Sequence, residues 1–417
     1  MSPTVAAPDL VPPVPPRSPR VWMHRNLFRT PGDSVVTVVS GTVLAYAAYR
    51  TIRFVLITGR WEIIERNLTL FMVGRFPRDE LWRVEVAIIV ALGLAGLAGG
   101  LVASGRSISD PEGLEPDAGD WPTRVRTAVA RLWPVLAMIM VLLILAGTPG
   151  PALLAIAGLA ALLAGRRVGA LIPRSIRGYV IGFTFLSPFV VVAVITAGGG
   201  VGWDQWGGVL LTLFLAVGGI TLCFPLGVLL ALGRRSDLPA VRVVSVSYIE
   251  LFRGVPLVAL LLMGSLTLQL FVPPSWAPGP IIRATVVFTL FTAAYIAEIV
   301  RGGLLSVPAG QTEAAKALGM SPTRITAFIV LPQALRNVIP AIVGQFISLF
   351  KDTSLVSIIS LVEILGVAQV ITQQPGFAGQ GLTAETLVFA SVIFWVGSYT
   401  MSRESQRLEA KLGVGTR

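Results

Sequence analysis

The sequence predicts an all-α integral membrane protein with about ten transmembrane helices. Of the 417 residues, 54% are hydrophobic and only 13% are charged, a balance that is not typical of soluble globular domains. The apolar residues fall into ten segments that approach or exceed the ~20 helical residues needed to cross a hydrocarbon core. The 33 Lys and Arg outnumber the 22 Asp and Glu, and they concentrate in alternate connections, as cytoplasmic loops do.

The predicted spans form two groups of five on either side of a glycine-rich stretch, Gly198–Gly200. The two spans between residues 133 and 165 are short and are joined by Pro149 and Gly150, so we expect a tight hairpin there. We predict an N-terminal membrane extension over residues 31–200 and a second membrane domain over residues 203–407. The spans are 34–57, 85–104, 133–148, 150–165, 178–198, 207–232, 254–272, 281–300, 338–360 and 384–401.

The two termini and one loop complete the predicted topology. Residues 1–30 are rich in proline and lack the apolar core of a signal peptide, so we expect a disordered tail, with a second tail at 408–417. The arginines before the first span place the N-terminus in the cytoplasm, and ten spans return the C-terminus to that side. Loop 58–84 carries both signs of charge; we expect it outside, with Trp61–Phe71 lying on the outer leaflet.

The residues needed for common catalytic sites are missing. Cys223 and His24 are the only cysteine and histidine, so no Cys/His metal site can form, and we expect a core residue and a tail residue. None of the three lysines follows a glycine, which excludes a P-loop. We therefore predict no enzyme activity, no catalytic or metal-binding residue and no cofactor in this chain.

One polar stretch, Glu313–Pro332, interrupts the apolar C-terminal half. Helix formers precede Gly319, which can adopt the left-handed conformation that ends a helix. Ser321 and Pro322 form an N-cap and a first-turn proline, so a second helix is expected to start there and to run until Pro332. The sequence predicts a helix–turn–helix between two spans.

The spacing in this stretch resembles a known signature. Glu313-Ala-Ala, then Gly319 and then Ile329-x-Leu-Pro332, matches the EAA signature of the permease subunits of ABC importers. The flanking segments AAYIAEIVRGG (293–303) and LFKDTSLVSII (349–359) are similar to the polar amino-acid branch of that family. The resemblance covers residues 206–407.

This resemblance implies a five-helix type-1 permease core over 203–407, whose cytoplasmic loop 301–337 docks on separate ATP-binding subunits. Those partner subunits would bind the ATP. It also implies import of L-amino acids across the bacterial inner membrane, with an external solute-binding protein and a second permease. The long N-terminal extension suggests that this second permease is not identical. The coupling residues are Glu313, Ala314, Ala315, Gly319, Ile329 and Pro332.

Ionisable residues at membrane depth are costly and tend to face a bundle interior or an aqueous path. The candidates are Arg253, Glu298, Lys351, Asp352 and Glu363. Our hypothesis for the substrate path combines a guanidinium and carboxylates, which suit the two ends of an amino acid, with two hydroxyls. The proposed residues are Arg253, Glu298, Asp352, Thr353 and Ser354.

Several alternatives remain open at this point. Glu298 could instead pair structurally with Arg253 or Arg301, and the hydroxyls of Thr353 and Ser354 could bond back to their own helix. The main functional alternative is a secondary transporter of small polar solutes driven by an ion gradient, since buried acids also serve proton relays. We find no internal repeat to support that alternative. A membrane-embedded enzyme is disfavoured, because the residue combinations of common catalytic sites are missing from the sequence.

Overall fold

The structure is a computed structural model that describes residues 19–105, 121–197, 199–267, 271, 273 and 278–412. The chain divides into two compact units, Met1–Arg60 and Trp61–Arg417. The division between these two units falls after Arg60, within the predicted N-terminal extension.

The first unit contains helix α1 (Pro19–Leu27) and helix α2 (Pro31–Arg53), which continues as a π-helical turn. Thr30 caps α2, because its hydroxyl accepts a hydrogen bond from the Asp33 backbone N–H while the Asp33 carboxylate accepts one from the Thr30 N–H. None of the α2 residues is buried. Helix α2 carries the first predicted span, and α1 occupies part of the segment expected to be disordered; residues 1–18 of that segment lie outside the described residues.

In its described part, the second unit consists of helices joined by turns and loops, with two isolated bridges and no named strand. Its first helices are α3 (Glu62–Arg66), α4 (Leu68–Val73), α5 (Leu81–Gly105), α6 (Trp121–Ala146), α7 (Gly150–Leu171), α8 (Arg177–Phe185) and α9 (Ser187–Thr196). The rest are α10 (Gly208–Arg234), α11 (Pro239–Gly254), α12 (Leu257–Leu262), α13 (Pro280–Ser306), α14 (Ala309–Ala317), α15 (Pro322–Arg324), α16 (Leu331–Asp352), α17 (Ile364–Val370) and α18 (Thr383–Leu412). The all-α membrane fold is confirmed.

Seven helices in the described residues are long and apolar enough to cross a membrane, and an eighth arises if one bent pair counts as a single span. The number of spans predicted from the sequence, about ten, is therefore larger than the number that the described helices support. The predicted span 178–198 is interrupted at Leu186, just before the Ser187-Pro188 start of α9, because proline cannot continue the hydrogen-bond ladder. The apolar part of α6, Leu132–Ala146, is also shorter than a full span.

The predicted span 254–272 begins at the break in the bent pair and contains only its second arm. The first arm is α11, which ends at Gly254, and the second arm runs from Leu257 to Ser265 at an angle of 103° to the first. Pro256 lies at the bend, and after α12 the chain forms a π-helical turn, Met263–Thr267. Residues 268–270 and 272 of the predicted span lie outside the described residues.

Helices α5 and α7 pack with their backbones in close approach. A Cβ placed at Gly96 or Gly100 of α5 would collide with the carbonyl oxygen of Leu162 or Arg166 of α7, and Gly165 lies equally close to Gly93. Glycines permit this approach, as small residues do between membrane helices. This pairing was not predicted, because in the sequence these glycines look like ordinary residues of an apolar span.

The expectation that Trp61–Phe71 lies on the outer leaflet is wrong. Ile63, Ile64 and Phe71 have no exposed surface, and they belong to a hydrophobic cluster that includes residues of α17 and α18. The Phe71 ring meets the Phe389 ring edge to face at 5.0 Å. The apolar face of this segment therefore packs against other side chains of the protein and not against lipid.

In the C-terminal half, α13 lies between α10 and α16. Gly219 of α10 faces both Phe288 of α13 and Leu349 of α16, since a Cβ there would lie 3.6 Å and 3.1 Å from these side chains. Gly227 faces Ile296, so α10 and α13 run in parallel. Gly303 near the end of α13 faces Ala334 near the start of α16, so α16 runs in the opposite direction. These contacts show which residues of α10, α13 and α16 lie at the same height along the helix axes.

Candidate functional site

The predicted helix–turn–helix is present between α13 and α16. Helix α14 ends at Ala317, and Gly319 has a φ of +74°, the left-handed conformation expected of it. The turn is closed by the Met320 N–H, which donates to the Ala315 carbonyl at 3.2 Å, and by the Gly319 N–H, which donates to the Lys316 carbonyl at 2.9 Å. The chain conformation at this glycine is therefore confirmed.

The second arm of the hairpin begins at Pro322 as expected but does not stop at Pro332. Residues Ile325–Val330 form a π-helix that leads into α16, and Pro332 lies in the first turn of α16. The Leu331 N–H donates to the Thr326 carbonyl, five residues earlier, so the wider π register accommodates the proline without a break. The expectation that this helix ends at Pro332 is wrong.

The hairpin, residues 309–330, presents a mixed polar and apolar surface. Glu313 and Ala314 are exposed, while Ala315 is buried together with Ile325 of the other arm. Leu318 and Phe328 are exposed by 82% and 71%. Ala314 is therefore available for a partner and Ala315 is not. Of the remaining predicted coupling residues, Gly319 and Pro332 are exposed and Ile329 is partly exposed.

Glu298 lies in a cluster of arginines at the same end of α13 as the hairpin. Its Oε1 accepts from Arg234 Nη1 of α10 at 2.7 Å, and its Oε2 accepts from Arg301 Nε at 3.0 Å. Arg253 Nη1 of α11 lies 3.8 Å from the same Oε2, and Arg234 also pairs with Glu250 at 3.2 Å. The carboxylate of Glu298 thus connects three helices. This geometry favours the structural alternative that the sequence analysis left open.

The structure does not bring the five predicted path residues together. Phe288 of α13 and Leu349 of α16 lie at the same height along the helix axes. Glu298 lies ten residues from Phe288 toward the hairpin end, and Asp352 lies three residues from Leu349 toward the opposite end. At 1.5 Å per residue, Glu298 and Asp352 are separated by about 20 Å along the helix axes. Arg253 accompanies Glu298, whereas Thr353 and Ser354 follow Asp352 directly.

The two hydroxyls bond back to their own helix. Thr353 Oγ1 donates to the Phe350 carbonyl at 2.6 Å, and Ser354 Oγ donates to the Lys351 carbonyl at 2.9 Å. In the described part of the chain, neither Lys351 nor Asp352 forms an ion pair within 4.0 Å. Adjacent residues of a helix point about 100° apart, so Lys351 and Asp352 are not placed to pair with each other.

Glu363 has a local structural role. It is the N-cap of α17, and its two carboxylate oxygens accept hydrogen bonds from the Leu365 and Gly366 backbone N–H groups, each at 2.8 Å. The side chain is fully buried, and burial raises the pKa of Glu363 to about 7 although both hydrogen bonds act to lower it.

Among the described residues, sequence reasoning missed two buried ionisable side chains, which are Glu385 of α18, 5% exposed, and Arg283. Arg283 is the fourth residue of α13. It is 7% exposed. The signal was present, because residue 283 lies inside the predicted span 281–300. It was passed over because it is close to the end of that span, where a long side chain can normally reach the interface.

These features together define a multi-pass membrane protein that presents an exposed helical hairpin at one end of its most central helices. Comparison with known proteins refines this class. Residues 223–412 match the family described as the binding-protein-dependent transport system inner membrane component.

Curated relatives agree with this match. The chain is 47% identical over 211 residues to the inner membrane amino-acid ABC transporter permease protein YhdY of Escherichia coli, covering 51% of the chain and 57% of the relative. It is 47% identical over 210 residues to the glutamate/glutamine/aspartate/asparagine transport system permease protein BztC of Rhodobacter capsulatus, covering 50% and 48%. The chain thus spans about half the length of these two relatives.

A shorter relative is matched over nearly its full length. The probable glutamine ABC transporter permease protein GlnP of Bacillus subtilis is 35% identical over 207 residues, covering 49% of the chain and 92% of the relative. The chain belongs to the family of inner membrane permease components of binding-protein-dependent ABC transport systems.

Proposed function

We propose that this protein is a permease subunit of an ABC importer that translocates L-amino acids across the bacterial cytoplasmic membrane. The observation that carries the proposal is the exposed hairpin, which combines the EAA spacing with the left-handed turn at Gly319. The names of the relatives YhdY and BztC support amino acids as the substrate class.

The hairpin is suited to docking on a second protein. It offers an acidic side chain, Glu313, and a small residue, Ala314, beside the exposed apolar side chains of Leu318 and Phe328. Large apolar side chains exposed next to a charged helix are typical of a helix that inserts into a groove. The groove would belong to a cytoplasmic ATP-binding subunit, whose ATP-driven dimerisation moves α13 and α16 through the hairpin.

This chain itself is a transport component and not an enzyme; the ATP is bound by the partner subunits. A solute-binding protein delivers the amino acid from outside, and a second permease, not identical to this one, completes the path. Both termini and the hairpin lie in the cytoplasm, as the distribution of basic residues indicates.

The proposed function can be tested with the purified complex reconstituted into proteoliposomes, using L-glutamine, L-glutamate and L-arginine as separate probes. We expect uptake of at least one probe to require ATP on the hairpin side and to persist in the presence of an uncoupler. Uptake that needs no ATP and collapses with the uncoupler would instead identify a secondary transporter.

The coupling role of the hairpin is tested by Glu313→Lys, with Asp237→Lys as the matched control, since Asp237 is an exposed acid in a different connection. We expect Glu313→Lys to reduce uptake at least tenfold without changing the yield of the folded permease, because the substitution lies on an exposed surface. Asp237→Lys should transport at the parental rate. Equal rates in the two variants would remove Glu313 from the coupling surface.

A further inference from the structure

Arg283 is buried at the end of α13 that is remote from the hairpin. Its Nη1 donates to the backbone carbonyl of Ser265, whereas its Nε has no hydrogen-bond partner in the described part of the chain. The ion pairs found among the described residues do not include this guanidinium. A buried arginine of this kind is costly, because its charge is neither solvated nor neutralised.

The element that faces Arg283 is irregular. Ser265 lies in the π-helical turn that ends the bent pair α11 and α12, whose two arms meet at 103°. Broken spans in transporters occur where they line a path for solute, and π-helical turns are frequent at functional sites. Two unusual features, a broken span and a buried charge, therefore meet at one place.

Along the helix axes, Arg283 also lies at nearly the same height as Asp352, the first of the three consecutive predicted path residues 352–354. It lies five residues before Phe288, and Asp352 lies three residues beyond Leu349, which is level with Phe288. The levels of Arg283 and Asp352 therefore differ by only about 3 Å along the helix axes. By the same measure Arg283 is about 22 Å from Glu298, which is surrounded by arginines at the hairpin end.

We propose that Arg283 is a binding residue for the carboxylate of the solute as it enters the translocation path. This inference rests on the proposed function and adds a substrate-contacting residue to it. The edge of the guanidinium that carries Nε can pair with both oxygens of a carboxylate, while Nη1 remains bonded to Ser265 and fixes the plane of the group. The solute then supplies the negative charge that the described protein residues do not provide.

A substrate-binding role and a packing role predict opposite effects on stability. Removing a buried charge whose counter-ion arrives only with the solute should leave the resting protein as stable or make it more stable, whereas transport should fail. Removing an arginine that holds the π turn in place should lower the unfolding temperature. The two readings can therefore be separated even if both reduce transport.

The test uses the reconstituted complex with Arg283→Gln and Arg283→Lys, and with Arg242→Gln as the control for loss of one exposed positive charge. For Arg283→Gln we expect at least a tenfold loss of amino-acid uptake, with unchanged basal ATP hydrolysis and an unfolding temperature equal to or above the parental value. For Arg283→Lys, which keeps the charge but not the planar fork, we expect an intermediate loss. Arg242→Gln should behave as the parent.

Parental uptake by Arg283→Gln, or a lowered unfolding temperature with uptake reduced only in proportion to the folded complex, overturns the inference. If Arg283→Gln does not assemble, the lysine variant decides, and parental uptake in that variant also overturns it. A parental complex that takes up none of the probes overturns the proposed function itself, before the variants are compared.

Discussion

Individual charged residues in this protein have roles that their positions in the sequence did not reveal. Glu298 was a candidate for binding the ammonium group of a substrate, yet its carboxylate is shared by Arg234, Arg301 and Arg253. Such an arrangement stabilises the ends of three helices against one another. Arg301 is one helical turn from Glu298, but Arg234 and Arg253 belong to two other helices, so only the folded protein brings all three to one acid.

Glu298→Gln should therefore act on stability and not on substrate choice. The substitution removes the carboxylate charge shared by Arg234, Arg253 and Arg301, and we expect a loss of about 1–3 kcal/mol in the free energy of unfolding. Uptake per cell should fall by one common factor for acidic, neutral and basic amino acids. The control is Glu250→Gln, since Glu250 is more exposed and its one ion pair among the described residues is with Arg234, so its loss should cost less than about 1 kcal/mol.

An effect of Glu298→Gln confined to basic amino acids, with parental stability, would contradict this prediction and return Glu298 to the substrate path.

Glu363 makes the stability of the protein depend on pH. Its pKa is raised from 4.5 to about 7 in the folded state, so the folded protein binds this proton more tightly than the unfolded chain does. Its contribution to stability is therefore fully present below pH 4.5 and is lost as the pH rises to about 7, a difference of about 3 kcal/mol.

Glu363→Gln should remove this dependence, because an amide does not titrate in this range. Thermal unfolding of the detergent-solubilised protein at several pH values between 4.5 and 8 measures it. The parental curve should decline across that range more steeply than the variant's. Parallel curves would show that Glu363 does not titrate there.

At the scale of elements, the glycines of α5 and α7 determine how the N-terminal helices associate. Gly96, Gly100 and Gly165 each lie so close to a carbonyl oxygen of the opposite helix that no side chain fits. The period of these glycines places them along one face of each helix, and the two faces meet. Lipid-facing apolar residues alone would not specify such a pairing.

Gly96→Ala should therefore separate α5 from α7, and Gly99→Ala should not. A Cβ at Gly96 would overlap the carbonyl oxygen of Leu162, whereas a Cβ at Gly99 has no atom within 4 Å. We expect Gly96→Ala to destabilise the protein by about 1–3 kcal/mol, measured by thermal unfolding in detergent. Gly99→Ala should be neutral or slightly stabilising, because alanine is the better helix former. Equal stability of the two variants would rule out the close packing.

At the scale of the whole molecule, the orientation of the C-terminal half can be tested directly. Helix α13 has 27 residues and so extends over about 40 Å, with Gly279 before it and the hairpin after it. Single cysteines at Ser321 and Gly279 in a Cys223→Ser background should react with a membrane-impermeant thiol reagent from opposite sides. Ser321→Cys should react only after permeabilisation of the cell. Labelling of both from outside would exclude a cytoplasmic hairpin.

The sequence by itself determined the membrane class, the positions of most long helices and the local conformation of the hairpin. These depend on runs of apolar residues and on short-range signals, such as the left-handed Gly319 and the first-turn Pro322, which are complete within a few residues. It also gave the family, because the EAA spacing is contiguous in the chain. The same local signals overestimated the effect of Pro332, since the π register that accommodates it depends on how the helix continues.

Only the tertiary structure decided which charges are neutralised and which helices touch. The approach of Arg234 and Arg253 to Glu298, the partners of the Trp61–Phe71 segment and the environment of Arg283 all depend on contacts between residues far apart in the chain. Ionisable residues at membrane depth can be recognised from the sequence. Their roles depend on the charges that surround them in the folded protein, and the pattern of residues along the chain does not show which residues those neighbours are.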